Sequence, residues 1–279
     1  MAAQTQRTIV VTGADGRVAD LLRRSWQSSL PGLPVLWSSR GPGRDLQWDI
    51  LSGPAPALPQ GAVILHLAGV LRGPAKALEA NHRMIPPLMA AAQAARASAV
   101  LLASTAAVYA AGPQDCTEDS APDPRSDYGW AKLAAEGAAL ALVGGRPVTA
   151  LRIGNVLGAD ALFAPRPGPI LLDPVPGRPG GPVRSWIGPQ TLALALARLV
   201  PLACSGALPP VLNLAQSPPL PMEALLCAAR RPWAYGPPNP GVVPRHALDT
   251  RRLGALLPLP RATPCALTAE LAGLQEVSA

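Results

Sequence analysis

The chain has 279 residues and a hydrophobic content of 49%, which is enough to bury one sizeable core but does not favour two independent domains. Its formal net charge is +7, yet the basic residues are scattered apart from a few arginine pairs, so the charge does not predict a nucleic-acid interface. We find no signal peptide and no apolar stretch long enough to span a bilayer, and we therefore expect a cytoplasmic protein that has no membrane partner.

The cysteine, histidine and acidic residues do not form a metal-binding pattern. The four cysteines are far apart in the sequence, which excludes the close ligand spacing of a zinc site and favours reduced thiols. The acidic residues between positions 115 and 127 lie among Pro and Ser residues, which indicates a solvated loop. His66 lies within an apolar run, where we expect it to be a packing residue. We expect no metal ion.

Short apolar runs alternate with segments rich in Ala, Leu and Arg over the first half of the chain. The runs are Thr8–Val11, Val35–Trp37, Ala62–Leu67, Ala99–Ser104 and Val148–Ile153. Such alternation is typical of βαβ units, and continuous apolar runs indicate strands that are covered on both faces. The sequence therefore predicts an α/β fold of the Rossmann type, a doubly wound parallel sheet with a smaller C-terminal lobe.

The pattern changes after Ile153. A stretch rich in Pro and Gly covers residues 164–182, and it is followed by a helical segment, Gln190–Val200, and a short strand, Val211–Leu214. We interpret residues 1–155, together with the returning segment 185–215, as a nucleotide-binding domain. Residues 156–184 and 216–279 would then form a small substrate-binding lobe.

A glycine-containing loop follows the first predicted strand and opens a helix. In the sequence Thr12-Gly13-Ala14-Asp15-Gly16-Arg17-Val18-Ala19, Gly13 permits a tight turn and Gly16 allows the backbone to approach a pyrophosphate. The N–H groups at the start of the helix would bind that anion. Ala19 replaces the third glycine of the usual fingerprint. The loop predicts a dinucleotide site.

The second predicted strand ends in Trp37-Ser38-Ser39-Arg40, without the acidic residue that would bind the ribose 2′-hydroxyl of NAD. A guanidinium can bind the 2′-phosphate of NADP through two hydrogen bonds. The sequence therefore favours NADP, with NAD as the alternative. Arg40 could instead be a solvated loop residue.

Tyr128 and Lys132 are four residues apart and share one face of a predicted helix. A cation beside a phenol favours the phenolate and brings its pKa towards the catalytic range. The chain contains three tyrosines and two lysines, so a chance pairing is improbable. Thr105 follows a predicted parallel strand at the edge where open α/β sheets bind ligands, and its hydroxyl could donate a hydrogen bond to a reacting oxygen.

Further motifs occur in the order and at the spacing of one known family. They are Thr12–Ala19, Asp49, His66–Gly69, Asn81, Ser104–Tyr109, Tyr128–Lys132, Leu151–Val156, Arg184–Ile187 and Val211–Leu214. Together they resemble the extended short-chain dehydrogenase/reductase family, also called the NAD-dependent epimerase/dehydratase family. The resemblance covers nearly the whole chain.

The resemblance implies roles for individual residues. Tyr128 would be the catalytic acid/base, Lys132 would also hold the nicotinamide ribose, and Thr105 would polarise the substrate carbonyl or alcohol. Asn81 would support the active-site helix. Together with Arg40, the residues expected at the cofactor are Gly13, Asp15, Gly16, Arg17, Val18, Asp49, Ile50, Leu67, Ala68, Gly69, Asn81, Ser104, Tyr128, Lys132 and Ile153.

The residues expected at the substrate are Thr105, Ala106, Asn155 and Arg184. In the family's nucleotide-sugar members, the position of Arg184 binds the substrate diphosphate. The chain departs from the family pattern in three places. Pro86-Pro87 lies where one helix should continue after Asn81, so we expect that helix to be kinked or restarted. The segments 70–80 and 156–183 are short, which suggests a compact substrate, and residues 187–190 lack the usual His and Asp.

We therefore expect an NAD(P)-dependent oxidoreductase or epimerase that acts at a secondary alcohol or carbonyl carbon. The resemblance alone suggests a sugar or nucleotide-sugar substrate. A non-catalytic, redox-sensing regulator on the same fold is the alternative, although it would not need the Tyr–Lys pair. The resemblance also implies a homodimer through the helices near Ile85–Ala97 and Tyr128–Leu142.

Overall fold

Thirteen strands and nine α-helices are present in the described part of the chain, which comprises residues 7–142, 145–177 and 179–276 of a computed structural model. The strands are β1 Ile9–Thr12, β2 Val35–Ser39, β3 Leu46–Gln47, β4 Val63–His66, β5 Ala99–Thr105, β6 Val148–Ile153, β7 Asn155–Val156, β8 Ile170–Leu172, β9 Val183–Ile187, β10 Val211–Leu214, β11 Gln216–Pro221, β12 Trp233–Tyr235 and β13 Arg245–His246. The helices are α1 Arg17–Ser29, α2 Ala75–Leu78, α3 Ala80–Arg83, α4 Ile85–Ala94, α5 Asp127–Ala141, α6 Pro189–Cys204, α7 Met222–Ala228, α8 Arg251–Leu256 and α9 Pro264–Glu276.

Seven strands pair in parallel in the order β10-β6-β5-β4-β1-β2-β3. The strand β1 lies inside the sheet between β4 and β2, and the chain moves from it first to β2 and β3 and then to β4 on its other side. This reversal creates a crevice at the carboxyl ends of the strands, where open α/β sheets bind ligands. The predicted Rossmann-type sheet is confirmed.

Helices cover both faces of this sheet, as the continuous apolar runs indicated. Ile9 and Val11 pack with α1 and α6 in one core, whereas Val10 packs with α4 and α5 in the other. Neighbouring residues of a strand point to opposite faces, so a strand buried on both faces needs apolar residues throughout. This is why β1, β4 and β6 are apolar along almost their whole length.

The expected interruption near Pro86-Pro87 is present. The chain forms the short helices α2 and α3 and then restarts at Ile85, which places both prolines in the first turn of α4. Proline is tolerated there because the first N–H groups of a helix have no partner within the helix.

A second sheet and a strand pair form most of the remaining structure. The strand β9 pairs with β7, β11 and β13, while β8 pairs with β12. A third apolar core, which includes Leu157, Trp186 and Leu225, supports them. The predicted domain limits remain a prediction. The returning segment 185–215 begins within β9 of the second sheet, and its later elements α6 and β10 lie against or within the main sheet. Over the described residues, we find no helix of the length and apolarity needed to cross a membrane.

Candidate active site

The glycine loop between β1 and α1 lies very close to the segment that follows β4. Gly13 has a φ of +78°, and a side chain there would place its Cβ 2.5 Å from the backbone N of Ala68. Both the backbone angle and the available space therefore require glycine. Gly16 is the N-cap of α1 and supplies no capping side chain, which leaves the first-turn N–H groups open to an anion. These features fit a dinucleotide pyrophosphate.

A pocket of about 310 Å³ lies on the β2 side of the glycine loop. Ser38, Ser39 and Arg40 line it from the end of β2, and Asp49 and Ile50 line it from the opposite side. The Asp49 carboxylate accepts hydrogen bonds from the Ser52 hydroxyl at 2.7 Å and the Leu51 N–H at 3.1 Å, and these bonds lower its pKa. The pocket has the size and position expected for the adenosine half of a dinucleotide.

A larger cleft of about 550 Å³ lies on the β5 and β6 side of the loop. Thr105 reaches it from the end of β5, Tyr128 and Lys132 reach it from α5, and Asn155 reaches it from β7. The two cavities share Gly13, Gly16, Leu67, Gly69 and Val70 among their lining residues, so they form one continuous trough along the edge of the sheet.

Helix α5 begins with a side-chain cap that fixes the position of Tyr128. The Ser126 hydroxyl accepts a hydrogen bond from the Gly129 N–H at 3.1 Å. Gly129 also lies against the 3-10 helix Ala106–Val108, and a Cβ on it would lie 2.3 Å from the Ala107 carbonyl oxygen. This close contact between the two helices brings Tyr128 and Thr105 to the same part of the cleft.

The electrostatics of this cleft differ in part from our expectation. Burial raises the pKa of Tyr128 above 10, and a hydrogen bond with the Thr105 side chain opposes that rise. The sequence had led us to expect a lowered pKa. Burial lowers the pKa of Lys132 to about 8, although the charge of Glu136 raises it. In this state the Tyr128 phenol is a proton donor at neutral pH.

His66 and Asn81 lie behind the cleft. His66 is fully buried, its Nδ1 lies 2.7 Å from the Thr12 hydroxyl, and burial lowers its pKa to about 3, so its ring is neutral. This agrees with a packing role. The Asn81 side chain donates to the carbonyl oxygens of Val70 and Leu78 at 2.9 Å and accepts from the Val70 N–H. Asn81 thus shapes the segment that follows Gly69.

Most of the predicted site residues line this trough. Those that do are Gly13, Asp15, Gly16, Arg17, Val18, Arg40, Asp49, Ile50, Leu67, Ala68, Gly69, Ser104, Thr105, Tyr128, Lys132, Ile153 and Asn155. Asn81, Ala106 and Arg184 are absent from the lining of the two described cavities. Whether each residue binds a ligand stays a prediction.

Arg184 lies on β9, where its guanidinium contacts the backbone. Its Nη1 and Nη2 donate to the carbonyl oxygens of Val183 and Val243 at 2.8 and 2.9 Å. Burial also lowers its pKa. In this arrangement Arg184 joins β9 to the segment before β13, and two of its donors are occupied.

The sequence did not reveal several residues that line the larger cleft, among them Val70, Leu71, Arg72 and Asp160. Asp160 organises the loop after β7, since its carboxylate accepts hydrogen bonds from the N–H groups of Gly158, Leu162 and Phe163. Arg17 donates to the Asp160 carbonyl oxygen at 3.1 Å, which joins this loop to the glycine loop. In the sequence, the short Gly-Ala-Asp turn after β7 was the feature that could have indicated this loop.

The acidic stretch is a loop, as expected, but it is less solvated than the sequence indicated. The side chain of Glu118 is 3% exposed and accepts a hydrogen bond from the Asn213 N–H at 3.0 Å. Asp115 pairs with Arg245, and Asp119 pairs with Arg252 at 2.8 Å. These contacts hold the loop against β10, β13 and α8. Over the described ranges, no group of three or more His, Cys, Asp or Glu residues could hold a metal ion.

Comparison with known proteins identifies a family whose sequence model matches part of the chain. Residues 55–170, which are less than half of the chain, match the model of the NAD dependent epimerase/dehydratase family. The predicted family resemblance is confirmed. At the level of the family, the match also bears out the interpretation of the chain as an enzyme. No curated protein matches the sequence significantly.

Solved structures resemble this fold over almost the entire chain. MoeE5 in complex with UDP-glucose and NAD is 24% identical, with 97% of this chain and 99% of that chain covered and a TM-score of 0.75. UDP-glucose-4-epimerase from Stenotrophomonas maltophila, with bound NAD and formylated UDP-arabinopyranose, is 19% identical, with 98% of each chain covered and a TM-score of 0.78. TunA, an NAD-dependent NDP-hexosamine 5,6-dehydratase, is 19% identical, with 97% of this chain and 98% of that chain covered and a TM-score of 0.75. At these identities the likeness establishes the fold.

Proposed function

We propose that the protein is an NAD(P)-dependent oxidoreductase or epimerase that acts at a secondary alcohol or carbonyl carbon of a sugar, nucleotide sugar or similar small molecule. The observation that carries this proposal is the single trough in which the glycine loop lies beside Thr105, Tyr128 and Lys132. The glycine loop and the first turn of α1 would hold the pyrophosphate, and Lys132 would hold the nicotinamide ribose.

Each catalytic side chain has a role that follows from its position. The nicotinamide, when bound, supplies or accepts the hydride. Tyr128 gives the proton to a carbonyl oxygen during reduction and takes it from the alcohol during oxidation. The Lys132 ammonium favours the phenolate when Tyr128 acts as the base. The Thr105 oxygen accepts the Ala107 N–H at 3.2 Å, and its O–H, which bonds to Tyr128 in this structure, would turn to the substrate oxygen when substrate is bound.

The first test is a titration of the protein with NADH and NADPH, followed by turnover assays with sugars, nucleotide sugars and simple ketones. We expect binding and turnover. In the variant Tyr128→Phe we expect cofactor binding to persist while turnover falls by ~100-fold or more, since general acid/base groups contribute on that scale. Binding without turnover in the unmodified protein would favour the redox-sensing alternative, and the absence of cofactor binding would contradict both functions.

We also propose a preference for NADP over NAD. Ser38, Ser39 and Arg40 line the proposed adenosine pocket, where a guanidinium could bind a ribose 2′-phosphate. We expect Arg40→Ala to weaken NADPH binding by about tenfold or more, because a charge-assisted hydrogen bond is lost, and to change NADH binding little. Two fluorescence titrations measure this ratio. Equal losses for the two cofactors would contradict the preference, as would tighter binding of NADH to the unmodified protein. The NAD found in MoeE5 and in the Stenotrophomonas epimerase makes this test necessary.

The nucleotide-sugar part of the proposal is supported by the ligands of the similar structures, which include UDP-glucose. Asn155 lines the cleft, and its amide nitrogen donates to the Ser185 carbonyl oxygen at 3.2 Å, so we propose that it faces the substrate. For Arg184 to bind a diphosphate it would have to leave the Val183 and Val243 carbonyl oxygens. We further propose a cytoplasmic homodimer with the domain limits given above.

A further inference from the structure

A buried ion pair joins helix α5 to strand β6 close to the cleft. Glu136 and Arg152 are 2% and 4% exposed. The Arg152 Nη2 lies 2.7 Å from the Glu136 Oε2, and the Arg152 Nε lies 3.1 and 3.2 Å from the two carboxylate oxygens. The Ser104 hydroxyl donates to Oε1 of the same carboxylate. Both oxygens of Glu136 are therefore occupied.

The pair connects three of the elements that line the cleft. Ser104 is adjacent to Thr105 on β5, Glu136 is one helical turn after Lys132 on α5, and Arg152 on β6 precedes the turn to Asn155. The Arg152 guanidinium also stacks on the Tyr109 ring, with 4.7 Å between its Cζ and the ring centroid. A shift of any one element would break this set of contacts.

A stabilising role alone does not account for two buried charges at this place. Burial removes both ions from water, and well-packed apolar residues often serve folding equally well. The neighbours Ala135 and Ala139 are already apolar core residues. We therefore consider how these charges affect nearby titratable groups. Along the face of α5, the next such group is Lys132.

We propose that the Glu136–Arg152 pair is an electrostatic positioning device, which fixes a carboxylate one helical turn from Lys132 and thereby keeps the ammonium charged beside Tyr128. This inference rests on the proposed function, in which the Lys132 ammonium assists Tyr128. Glu136 attracts the ammonium, and Arg152 cancels part of that attraction because it is a cation bound to the same carboxylate. Lys132 thus experiences the balance of two opposite charges.

The electrostatics of Lys132 support the part of this balance that comes from Glu136. Burial lowers the pKa of Lys132 to about 8, and the Glu136 charge opposes that change. The titratable groups that face Lys132 are Tyr128 and Glu136 on α5 and His66 on β4, and Arg152 on β6 is the ion-pair partner of Glu136. His66 is neutral above its pKa of about 3, so its ring does not compensate for the loss of Glu136.

The test uses the small number of lysines in this chain. Lysine occurs only at positions 76 and 132, so protein labelled with ¹³C at the lysine Cε carbons gives two signals, and Lys132→Met assigns them. We expect Glu136→Gln to lower the pKa of Lys132 by about one pH unit and Arg152→Met to raise it by a similar amount. Asp127→Asn removes an exposed negative charge from the same helix and is expected to move this pKa by less than about 0.3 pH unit, as is usual for screened charges.

Opposite shifts of the Lys132 pKa in the two single variants distinguish this role from simple disruption of the site, because disruption would shift the pKa in the same direction in both variants. Shifts of equal sign, or no shift in either variant, would overturn the proposal. If a single variant does not fold, the double variant Glu136→Gln/Arg152→Met replaces it. That variant removes both charges, and we expect a fall in the Lys132 pKa smaller than with Glu136→Gln alone. A fall as large as with Glu136→Gln alone would also overturn the proposal, because Arg152 would then have no effect on the Lys132 pKa.

The titration needs no cofactor and no substrate, so it separates this inference from the proposed function. Where turnover is measured, we expect the alkaline limb of its pH profile to move with the Lys132 pKa in each variant. Shifted lysine signals in a protein without turnover would contradict the proposed function and support the electrostatic balance. Turnover with unshifted signals would support the function and contradict the balance.

Discussion

At the scale of single residues, His66 shows how a buried polar group can contribute to stability without joining the chemistry. Its ring is fully buried at the end of β4 and is hydrogen-bonded to Thr12. Burial lowers its pKa from 6.5 to about 3. In the unfolded chain the ring binds a proton as the pH falls below 6.5, whereas the folded protein does not bind it until about pH 3. Acid therefore favours the unfolded state.

We predict that the free energy of unfolding decreases as the pH falls through this window. Near pH 5, the His66 contribution to that decrease should be about 2 kcal/mol, since one unit of pKa corresponds to ~1.4 kcal/mol. Urea unfolding at pH 7 and pH 5 measures the change. The variant His66→Asn keeps a polar partner for Thr12 and should lose this part of the pH dependence. An equal pH dependence in both proteins would contradict the assignment.

The residue types of the candidate catalytic set could be identified from the sequence, but the burial and contacts of the site residues could not. Tyr128, Lys132 and Thr105 could be selected because their chemistry and spacing are local properties of one helix and one strand end. The raised pKa of Tyr128 could not be predicted, since it depends on burial by distant parts of the chain. The contacts of Arg184 with the Val183 and Val243 carbonyl oxygens arise from the same kind of distant packing.

At the scale of elements, helix α5 contains two glycines in contrasting surroundings. A Cβ on Gly129 would lie 2.3 Å from the Ala107 carbonyl oxygen, whereas a Cβ on Gly137 would meet no atom within 4 Å. We predict that Gly129→Ala destabilises the protein by about 1–3 kcal/mol and displaces α5, which should reduce turnover.

Gly137→Ala is the matched control on the same helix. It should stabilise the protein by up to ~1 kcal/mol, because alanine favours the helix and the site is open. Thermal unfolding and turnover of the two variants measure the contrast. Similar behaviour of the two variants would show that the contact between α5 and the Ala106–Val108 helix does not position Tyr128.

The strands of the main sheet could be predicted except for the two-residue β3, and most strands of the second sheet could not. Strands β5, β6 and β10 are largely apolar, a pattern that is typical of strands buried on both faces, although Thr149, Arg152 and Asn213 interrupt it. Strands β7 and β13 have two residues each, and β11 contains three prolines. Such strands exist only through partners that are distant in the sequence, so their own sequence gives no periodic signal.

At the scale of the whole molecule, Trp130 is an exposed aromatic residue on α5, with 56% of its surface accessible. A large apolar side chain on one of the two helices expected at a dimer interface fits the proposed homodimer. We predict that the protein has the mass of a dimer at micromolar concentration and that Trp130→Glu makes it a monomer. Light scattering measures both. Leu171→Glu, at an exposed residue of β8, should leave the mass unchanged. A monomeric mass for the unmodified protein would refute the homodimer.

The last helix, α9, contributes to two cores at once. Its residue Leu274 packs with the α1 and α6 core, while Leu267 packs with the core that contains Leu225. Glu270 between them accepts hydrogen bonds from the Thr191 N–H at 2.9 Å and the Thr191 hydroxyl at 2.6 Å, at the start of α6. The core around α1 and α6 and the core that contains Leu225 therefore do not belong to independent, interchangeable modules. A chimera that takes its lobe from a related protein would need to bring along a matching α1 and α6 surface, and grafting the lobe alone would leave both proteins incompletely packed.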